Sequence, residues 1–355
     1  MTANWMLYGA TGYTGSLIAR TCVERGLRPT LAGRGGPALH ALARELGLPV
    51  CEASLADEAR LAQTLQGMAA VLHCAGPFSR TGAPMRRACL AAGTHYLDIT
   101  GEIDALEEAF EQGPKAQAAG VLLCPGVGFD VVPTDCVAVT LKQAMPGAVR
   151  LTLGFSGVDS LSAGTTATSM EAIYRGCARV RQQGRIVDLP FGERGRLAEF
   201  GRGPEPSFVV PWGDVATAFH STGIGDIEVH VPRRSPGARA IRSLLPVRRW
   251  MAAAPVRGAA HALLRRLASG PSARRREQET TRVWGEVADA TGRLLRADLV
   301  CANGYTVTVE TALMAVRHVL EQGAPAGFRT PAQLMGARCI ESIPGSGRIT
   351  IGDAY

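Results

Sequence analysis

The chain has 355 residues, of which 46% are hydrophobic and 19% charged, with a formal net charge of +7 at pH 7. This length favours two domains, and the composition excludes a disordered protein. No apolar run is long enough to span a membrane, and the nine cysteines show neither a CxxC pair nor zinc-ligand spacing. The N-terminal residues lack the features of a signal peptide, so we expect a cytoplasmic protein without a metal.

Strand and helix patterns alternate through the first part of the chain. Short apolar runs predict strands at Trp5–Gly9, Thr30–Gly33, Val50–Ala53, Ala70–Ala75, Tyr96–Ile99 and Val121–Cys124. Amphipathic stretches predict helices at Gly15–Arg25, Ala38–Leu46, Glu58–Leu65, Ala83–Ala92 and Asp104–Ala118. This alternation is typical of a parallel sheet with helices on both faces. The fold class is therefore α/β, with a doubly wound Rossmann sheet expected at residues 1–147.

A glycine-rich turn directly follows the first strand and opens a helix, with the spacing GxxGxxG. The first glycine permits a tight turn, the second lets the backbone approach a pyrophosphate, and the third lets the helix pack on the strand. Because a helix N-terminus also favours an anion, we expect a dinucleotide to bind here. The predicted cofactor-binding residues of this turn are Gly9, Thr11, Gly12, Tyr13, Thr14 and Gly15.

The residues that follow the next strands indicate which dinucleotide binds. Arg34 stands after the second strand, where an NAD enzyme usually has Asp or Glu, and its guanidinium suits a 2′-phosphate. The sequence therefore favours NADP, with a solvated loop residue as the alternative for Arg34. Ser54 and the turn after the fourth strand complete the predicted cofactor site, although His73 within that strand is expected to pack. The turn consists of Cys74, Ala75, Gly76, Pro77 and Phe78.

The fifth strand carries polar side chains where a buried parallel strand is normally apolar. Alternation places Tyr96, Asp98 and Thr100 on one face, and Glu102 follows. Because a buried acid must be paired or functional, Tyr96 and Asp98 are the predicted catalytic residues. Thr100 and Glu102 are predicted substrate contacts. Hydrogen bonding within the strand–loop junction is the alternative for this group.

The next strand ends in a glycine-containing turn, PGVGFD at 125–130. Glycine permits a ligand to approach the backbone closely, so Gly128 and Phe129 are further predicted substrate contacts. Asp130 is expected to cap the following helix instead of binding a ligand.

A second domain, of antiparallel α+β type, is predicted at 148–308. Its predicted strands are Val149–Phe155, Thr217–Thr222, Ile227–Val231 and the hairpin Arg282–Ala288 with Leu294–Cys301, and its predicted helix is Thr165–Gln182. Thr165 and Thr166, which would open that helix, and Asp214 are predicted substrate contacts. Residues 309–355 are expected to return to the Rossmann domain, with helices at Thr311–Gln322 and Pro331–Gly336.

Residues 232–276 concentrate the positive charge. Twelve of the 38 basic residues lie here without a single Asp or Glu, so the rest of the chain carries more acidic than basic residues. Three interpretations stay open: a surface or homodimer-forming helix, docking of an acidic acyl-carrier protein or anionic substrate, and peripheral adsorption to a membrane. Nucleic acid is not expected as a partner, because aromatic interleaving and a recognition motif are missing.

Segments along nearly the whole chain resemble the saccharopine dehydrogenase-like NADP-binding family. They include GATGYTGSL at 9–17, LAGR at 31–34, CAGPFSRTG at 74–82, ACLAAGTHYLDITGE at 88–102 and PGVGFDVVPTDC at 125–136. The segments SAGTTATSMEAI at 162–173, PWGDVATAFHSTGI at 211–224 and GEVADATGR at 285–293 resemble the branch of trans-acting enoyl reductases. This resemblance implies a Rossmann domain, an inserted sheet domain with substrate contacts, and a C-terminal return. His73 departs from the asparagine common at its position.

The cofactor site and the resemblance together predict an NADPH-dependent oxidoreductase. Its expected reaction is hydride transfer to the C=C bond of an enoyl thioester or lipid-like acyl substrate, either a small molecule or carrier-bound. One alternative is reduction of a C=N bond or cleavage of a saccharopine-type secondary amine, and another is a non-catalytic NADP-binding scaffold. Acyl-phosphate reduction through a cysteine nucleophile is disfavoured, because no cysteine has the NPGCY-like context of that chemistry.

Overall fold

The computed structural model describes residues 4–157, 175–201, 203–235 and 270–353, together with the single residues 239, 243 and 246. The chain divides into two compact units, each built on one β-sheet. The first unit comprises Met1–Phe129 and Val307–Met335, and the second comprises Asp130–Thr306 and Gly336–Tyr355.

The sheet of the first unit has seven strands, all paired in parallel. They are β1 (Trp5–Tyr8), β2 (Thr30–Gly33), β3 (Val50–Glu52), β4 (Ala70–His73), β5 (His95–Asp98), β6 (Leu122–Cys124) and β15 (Gly327–Phe328). Their spatial order is β3-β2-β1-β4-β5-β6-β15. The first six strands form the doubly wound Rossmann sheet that the sequence predicts, with its switch point between β1 and β4, and β15, which was not predicted, extends the sheet beside β6.

Helices of the first unit alternate with its strands. They are α1 (Tyr13–Glu24), α2 (Pro37–Leu46), α3 (Glu58–Leu65), α4 (Phe78–Ala92), α5 (Ile103–Glu111) and α6 (Gly113–Ala118). Alternate strand residues point to opposite faces, so Leu7 and Leu72 join one apolar cluster while Met6 and Val71 join another. The single helix predicted at Asp104–Ala118 is two helices, because Pro114 cannot continue α5 but suits the first turn of α6.

The sheet of the second unit has nine strands. They are β7 (Ala148–Ser156), β8 (Cys177–Gln182), β9 (Arg185–Pro190), β10 (Leu197–Glu199), β11 (Pro204–Val209), β12 (Asp226–Pro232), β13 (Thr280–Asp289), β14 (Leu294–Ala302) and β16 (Thr350–Asp353). The order is β10-β11-β12-β7-β13-β14-β16, with β8 pairing to β12 and β9. The pairing is antiparallel as predicted, apart from the parallel pair β7–β12, so the described sheet is mixed.

Five helices follow β6 in the described parts of the chain. They are α7 (Val132–Ala144), α8 (Asp214–Thr222), α9 (Ala273–Gln278), α10 (Gly304–Gln322) and α11 (Pro331–Met335), and a 3₁₀ turn lies at Cys339–Ser342. Helix α7 packs tightly on one face of the second sheet, since a Cβ placed on Gly285 of β13 would lie 2.6 Å from Cγ1 of Val137.

Two predictions for the second domain are wrong. Residues 177–182 of the predicted helix Thr165–Gln182 form β8, which turns into β9 through two residues with positive φ, Gln183 and Gly184. Residues 165–174 lie outside the described residues. The predicted strand Thr217–Thr222 belongs to α8, where both threonine hydroxyls donate to carbonyls one turn earlier. β-Branched residues such as threonine are common in strands, which is why the segment was predicted as one. In the helix, the local hydrogen bonds satisfy the threonine hydroxyls.

The compact units also differ from the predicted domain boundaries. Helix α7, expected within 1–147, belongs to the second unit because it packs on β13. Of the C-terminal return predicted at 309–355, residues 309–335 belong to the first unit, where β15 pairs with β6. The residues from Gly336 onward belong to the second unit, where β16 pairs with β14.

Most of the arginine-rich segment 232–276 lies outside the described residues, so its three interpretations stay predictions. Within the described ranges, no helix combines the length and the apolar character that crossing a membrane requires. The same ranges contain no group of three or more His, Cys, Asp or Glu side chains arranged to hold a metal ion.

Candidate functional site

The turn between β1 and α1 is shaped by its three glycines. Gly9 has φ +83°, and a Cβ there would lie 2.8 Å from the backbone nitrogen of Ala75. A Cβ on Gly15 would lie 2.3 Å from the carbonyl oxygen of Gly9. Gly9 and Gly15 therefore allow two close backbone contacts. Gly12 differs, because it is exposed and a Cβ there would meet only the Gly9 carbonyl oxygen, at 3.3 Å.

The N-terminus of α1 is available to an anion. Gly12 is its N-cap, no side chain caps it, and its first turn contains no acid. The N–H of Ser16 makes the first bond of the helix, to the Gly12 carbonyl, so the N–H groups of Thr14 and Gly15 have no intrahelical partner. With the positive end of the helix dipole, these amides fit the pyrophosphate of a dinucleotide. Thr11 is exposed, and Tyr13 and Thr14 are half-buried in the same turn.

Arg34 directly follows β2, where the adenosine end of a bound dinucleotide is expected. It is exposed and has neither an ion pair nor a hydrogen bond to any described residue. Ser54, after β3, is also exposed. Sequence reasoning missed Glu52, the last residue of β3, which accepts hydrogen bonds from His40 Nε2 (2.8 Å) and the Gly36 N–H (3.3 Å). These bonds hold the pKa of Glu52 below its usual range, while the Arg34 guanidinium stays available to a 2′-phosphate.

Replacing Arg34 with glutamine is expected to weaken NADPH binding about 10- to 100-fold while leaving NADH affinity nearly unchanged. The reason is that a guanidinium forms charge-assisted hydrogen bonds only with the additional phosphate. Calorimetric titration of both dinucleotides measures the two affinities. Arg20→Gln is the matched control, since Arg20 is an exposed arginine paired with Glu45. Equal losses for NADPH and NADH would argue against a 2′-phosphate contact.

The turn Cys74–Phe78 lies beside the glycine turn, at the carboxyl end of β4. Gly76 is exposed, and the Gly76–Pro77 peptide bond is cis. The Thr81 hydroxyl, which sequence reasoning missed, lies 2.6 Å from the Ala75 carbonyl oxygen and 3.0 Å from that of Pro77, and so holds the turn. Burial raises the pKa of the Cys74 thiol, which favours its neutral form. The turn occupies the switch point at which a nicotinamide is expected.

Tyr96 and Asp98, the predicted catalytic residues, are completely buried. Asp98 accepts hydrogen bonds from the Tyr96 hydroxyl (2.6 Å) and from the N–H groups of Thr100 and Gly126 (2.9 Å each). Burial raises the pKa of Asp98 in spite of these bonds, and it raises the pKa of Tyr96 well above its usual value. Neither side chain is accessible to a substrate in the first unit. The geometry therefore supports the alternative, hydrogen bonding that joins β5 to the turn after β6.

Thr100 and Glu102, the predicted substrate contacts after β5, also have structural partners. The Thr100 hydroxyl accepts from the Glu102 N–H at 3.0 Å. The Glu102 carboxylate accepts from the N–H groups of Phe78 and Ser79, at 2.8 Å each. It thereby caps α4, whose N-cap residue Pro77 offers no side-chain acceptor, and places a negative charge at the positive end of the helix. Glu102 thus positions the turn Cys74–Phe78.

Gly128 and Phe129 are buried against α10. The Phe129 N–H donates to the Thr308 hydroxyl at 3.0 Å, and a Cβ on Gly128 would lie 3.0 Å from Cγ2 of Thr308. The close approach that Gly128 permits is therefore to a helix of its own unit. This gives both residues a packing role in place of the predicted substrate contact.

Asp214 is fully buried in the first turn of α8. Its Oδ2 accepts from the Thr134 hydroxyl at 2.6 Å, whereas Oδ1 has no hydrogen-bond partner in the described part of the chain. Burial, with a contribution from the Asp135 charge, raises the pKa of Asp214 well above its usual value, which favours the neutral form. Thr165 and Thr166 lie outside the described residues. Substrate contacts by these three residues stay predictions.

The His73 ring packs among three aromatic rings. Ring centroids of Tyr8 and Phe78 lie 5.3 Å away and that of Tyr96 lies 6.3 Å away. The ring is fully buried, and neither of its nitrogens has a hydrogen-bond partner among the residues described. Burial, together with the Arg86 charge, lowers the pKa of His73 to about 3. His73 is therefore a neutral packing residue at the end of β4.

Acidification from pH 6.5 to about 3 is expected to destabilise the protein through His73. In this window the unfolded chain binds a proton that the folded chain excludes, so the free energy of unfolding falls by about 1.4 kcal/mol per pH unit. His73→Phe keeps a ring and removes this contribution, whereas His318→Phe replaces a half-buried histidine of α10 that has no hydrogen bond or ion pair to a described residue, and serves as control. Urea unfolding at pH 7 and pH 4 measures the effect. Equal acid sensitivity of wild type and His73→Phe would rule it out.

Comparisons with known proteins agree with this cofactor geometry. Residues 5–124 match the family described as saccharopine dehydrogenase NADP binding domain. A trans-acting enoyl reductase of Mycobacterium ulcerans is 32% identical over 222 residues, which cover 57% of this chain and 52% of that protein. A trans-acting enoyl reductase of Mycobacterium tuberculosis is 32% identical over 221 residues, covering 56% of this chain and 52% of that protein. The chain thus spans about half the length of the curated relatives it matches.

A solved structure shares the fold. Apo saccharopine dehydrogenase (L-Glu forming) from Saccharomyces cerevisiae superposes with a TM-score of 0.65 at 12% identity, covering 99% of this chain and 100% of that chain. At that identity the similarity establishes the architecture alone. The matched residues 5–124 include the glycine turn, Arg34 and the turn after β4, so this part of the chain is similar to the NADP binding domain of saccharopine dehydrogenases.

Proposed function

We propose that the chain is an NADPH-dependent reductase that transfers hydride to the C=C bond of an enoyl thioester or a lipid-like acyl group. The observation that carries the proposal is the uncapped glycine turn with the unpaired, exposed Arg34, within residues that match an NADP-binding domain family. The choice of C=C over C=N chemistry is supported by the relatives named trans-acting enoyl reductases.

The residues of the chain bind and orient the reactants. The amides of the glycine turn and α1 would hold the pyrophosphate, and Arg34 the 2′-phosphate. The turn Cys74–Phe78, positioned by Thr81 and Glu102, would pass beside the nicotinamide ribose. When bound, NADPH supplies the hydride. Reduction also needs a proton donor in contact with the substrate, a role that burial denies to Tyr96 and Asp98.

A comparison of two substrates tests the proposal. Purified protein is mixed with NADPH and either crotonyl-coenzyme A or an imino acid, and the loss of NADPH absorbance is followed. We expect oxidation with the thioester only, and none with a Gly12→Val variant that cannot bind the cofactor. Turnover of the imino acid alone would assign the chain to C=N chemistry. Tight NADPH binding without oxidation by either acceptor would support the alternative of a non-catalytic NADP-binding scaffold.

A further inference from the structure

The second unit contains a cavity of about 1000 Å³ over one face of its sheet. The central strands form its floor, where register places Thr152 of β7 between Glu228 of β12 and Glu286 of β13. Helix α7 covers the opposite face of these strands, against Gly285. The cavity therefore lies on the side of the sheet that α7 leaves open.

Charged side chains dominate the wall of this cavity. Five arginines line it together with three acids. The arginines are Arg150, Arg181, Arg185, Arg194 and Arg196, and the acids are Asp226, Glu228 and Glu286. The excess of positive charge favours an anionic ligand, since a cavity wall focuses the field of the charges that line it.

Three of the arginines already have partners. Arg196 makes a bidentate ion pair with Glu286, at 2.9 and 3.2 Å, and Arg194 lies 3.7 Å from Glu228. Arg181 donates to the carbonyl oxygens of Val215 and Gly184, at 2.8 Å each. The first two pairs hold the carboxylates on the floor of the cavity. Because an arginine neutralises each of these carboxylates, they repel an incoming anion less than unpaired carboxylates would.

The other two arginines have no partner among the described residues. Arg150 and Arg185 are exposed, and neither has an ion pair or a hydrogen bond to a residue that the structure describes. The third acid, Asp226, accepts the Gln183 N–H at 2.7 Å. The half-buried Thr152 adds a hydroxyl to the same floor. The cavity thus offers two guanidinium groups and a hydroxyl that have no other binding role among these residues.

We propose that this cavity binds the phosphate of a phosphorylated ligand, with Arg150 and Arg185 as its anion contacts. A guanidinium matches two phosphate oxygens at once, and the volume is at the upper end of small-molecule sites. Enoyl thioesters are carried on a phosphopantetheine arm, either of coenzyme A or of a carrier protein. The identity of the ligand as that arm rests on the proposed function, whereas the anion site does not.

Calorimetry on the full chain, saturated with NADPH to block the dinucleotide site, tests the proposal. We expect 4′-phosphopantetheine to bind at least about tenfold more tightly than unphosphorylated pantetheine. The Arg150→Gln/Arg185→Gln double variant should lose this difference. An Arg293→Gln/Arg348→Gln control should keep it, because it removes two exposed arginines that do not line the cavity. Equal binding of both probes by wild type, or an unaltered difference in the first double variant, would overturn the anion site.

Further titrations separate the sources of the phosphate. Inorganic phosphate should bind at least about tenfold more weakly than phosphopantetheine, and equal binding would overturn the assignment to the arm. Coenzyme A and a phosphopantetheinylated acyl carrier protein are each titrated, and the one that binds more tightly is the source. Both should lose affinity in the Arg150→Gln/Arg185→Gln variant. Since none of these measurements needs turnover, a failure of the reductase assay would overturn the proposed function without altering them.

Discussion

A Gly12→Val variant is expected to fold normally and to lose at least about 100-fold in NADPH affinity, equivalent to about 2.7 kcal/mol. Gly12 has φ −69° and ψ 164°, which any L-residue adopts without strain. A Cβ there meets only the Gly9 carbonyl oxygen within 4 Å, at 3.3 Å, a contact that needs a shift of a few tenths of an ångström. The valine side chain would instead occupy the space in front of the α1 amides, where the pyrophosphate is expected to approach.

Two measurements on the same sample check this expectation. Calorimetry reports NADPH affinity, and thermal unfolding followed by circular dichroism reports the fold. Gly147→Val is the matched control, because Gly147 is exposed, a Cβ placed there would have no neighbour within 4 Å, and the residue lies in the second unit. If the Gly12→Val protein kept its NADPH affinity within a few-fold, the pyrophosphate would not bind at this turn. It would also remove the basis of the proposed function.

Truncating Asp98 to alanine is expected to lower the free energy of unfolding by about 3–5 kcal/mol. Three buried donors would lose their acceptor: the Tyr96 hydroxyl and the N–H groups of Thr100 and Gly126. Asp98→Asn keeps one acceptor oxygen and should cost less. Tyr96→Phe removes a single hydrogen bond and should cost about 1 kcal/mol. Urea unfolding at pH 7 gives the three values.

The same variants distinguish a structural role of Asp98 from a catalytic one. If Asp98 only joins β5 to the turn after β6, then Asp98→Asn should reduce the rate of hydride transfer no more than it reduces the folded fraction. A well-folded Asp98→Asn protein that binds NADPH normally but loses about 100-fold or more in turnover would restore the catalytic prediction. Thermal unfolding and NADPH oxidation are measured on one preparation for this comparison.

Local patterns predicted the first unit well, for identifiable reasons. Six of its seven strands were predicted from short, largely apolar runs between amphipathic helices, whereas β15, two residues long, was not predicted. The glycine turn depends on residues that are adjacent in sequence, and Arg34 needs only its position after β2. The second unit was predicted less well, because Thr217–Thr222 carries a strand-like pattern in a helix, and β8 depends on its pairing with β9 and β12.

The side-chain roles near β5 could not be predicted from position alone. Asp98 and Glu102 both follow the rule that an acid at a buried strand needs a partner, yet their partners are 28 and 24 residues away, at Gly126 and Phe78. The arginines of the cavity are likewise scattered from Arg150 to Arg196. No local pattern indicates that they line one cavity.

The amino-acid order alone determined the α/β class, the doubly wound sheet, the glycine turn and the cation expected at the 2′-phosphate, because each depends on neighbours within a few residues along the chain. Only the tertiary structure decided that Tyr96 and Asp98 are completely buried in the first unit, that Glu102 caps α4, and that α7 packs with the second sheet. The physical reason is that burial and hydrogen-bond partners are set by contacts between distant segments. A carboxylate at the surface could act in catalysis, whereas a buried one with three hydrogen-bond donors, such as that of Asp98, acts as a structural acceptor.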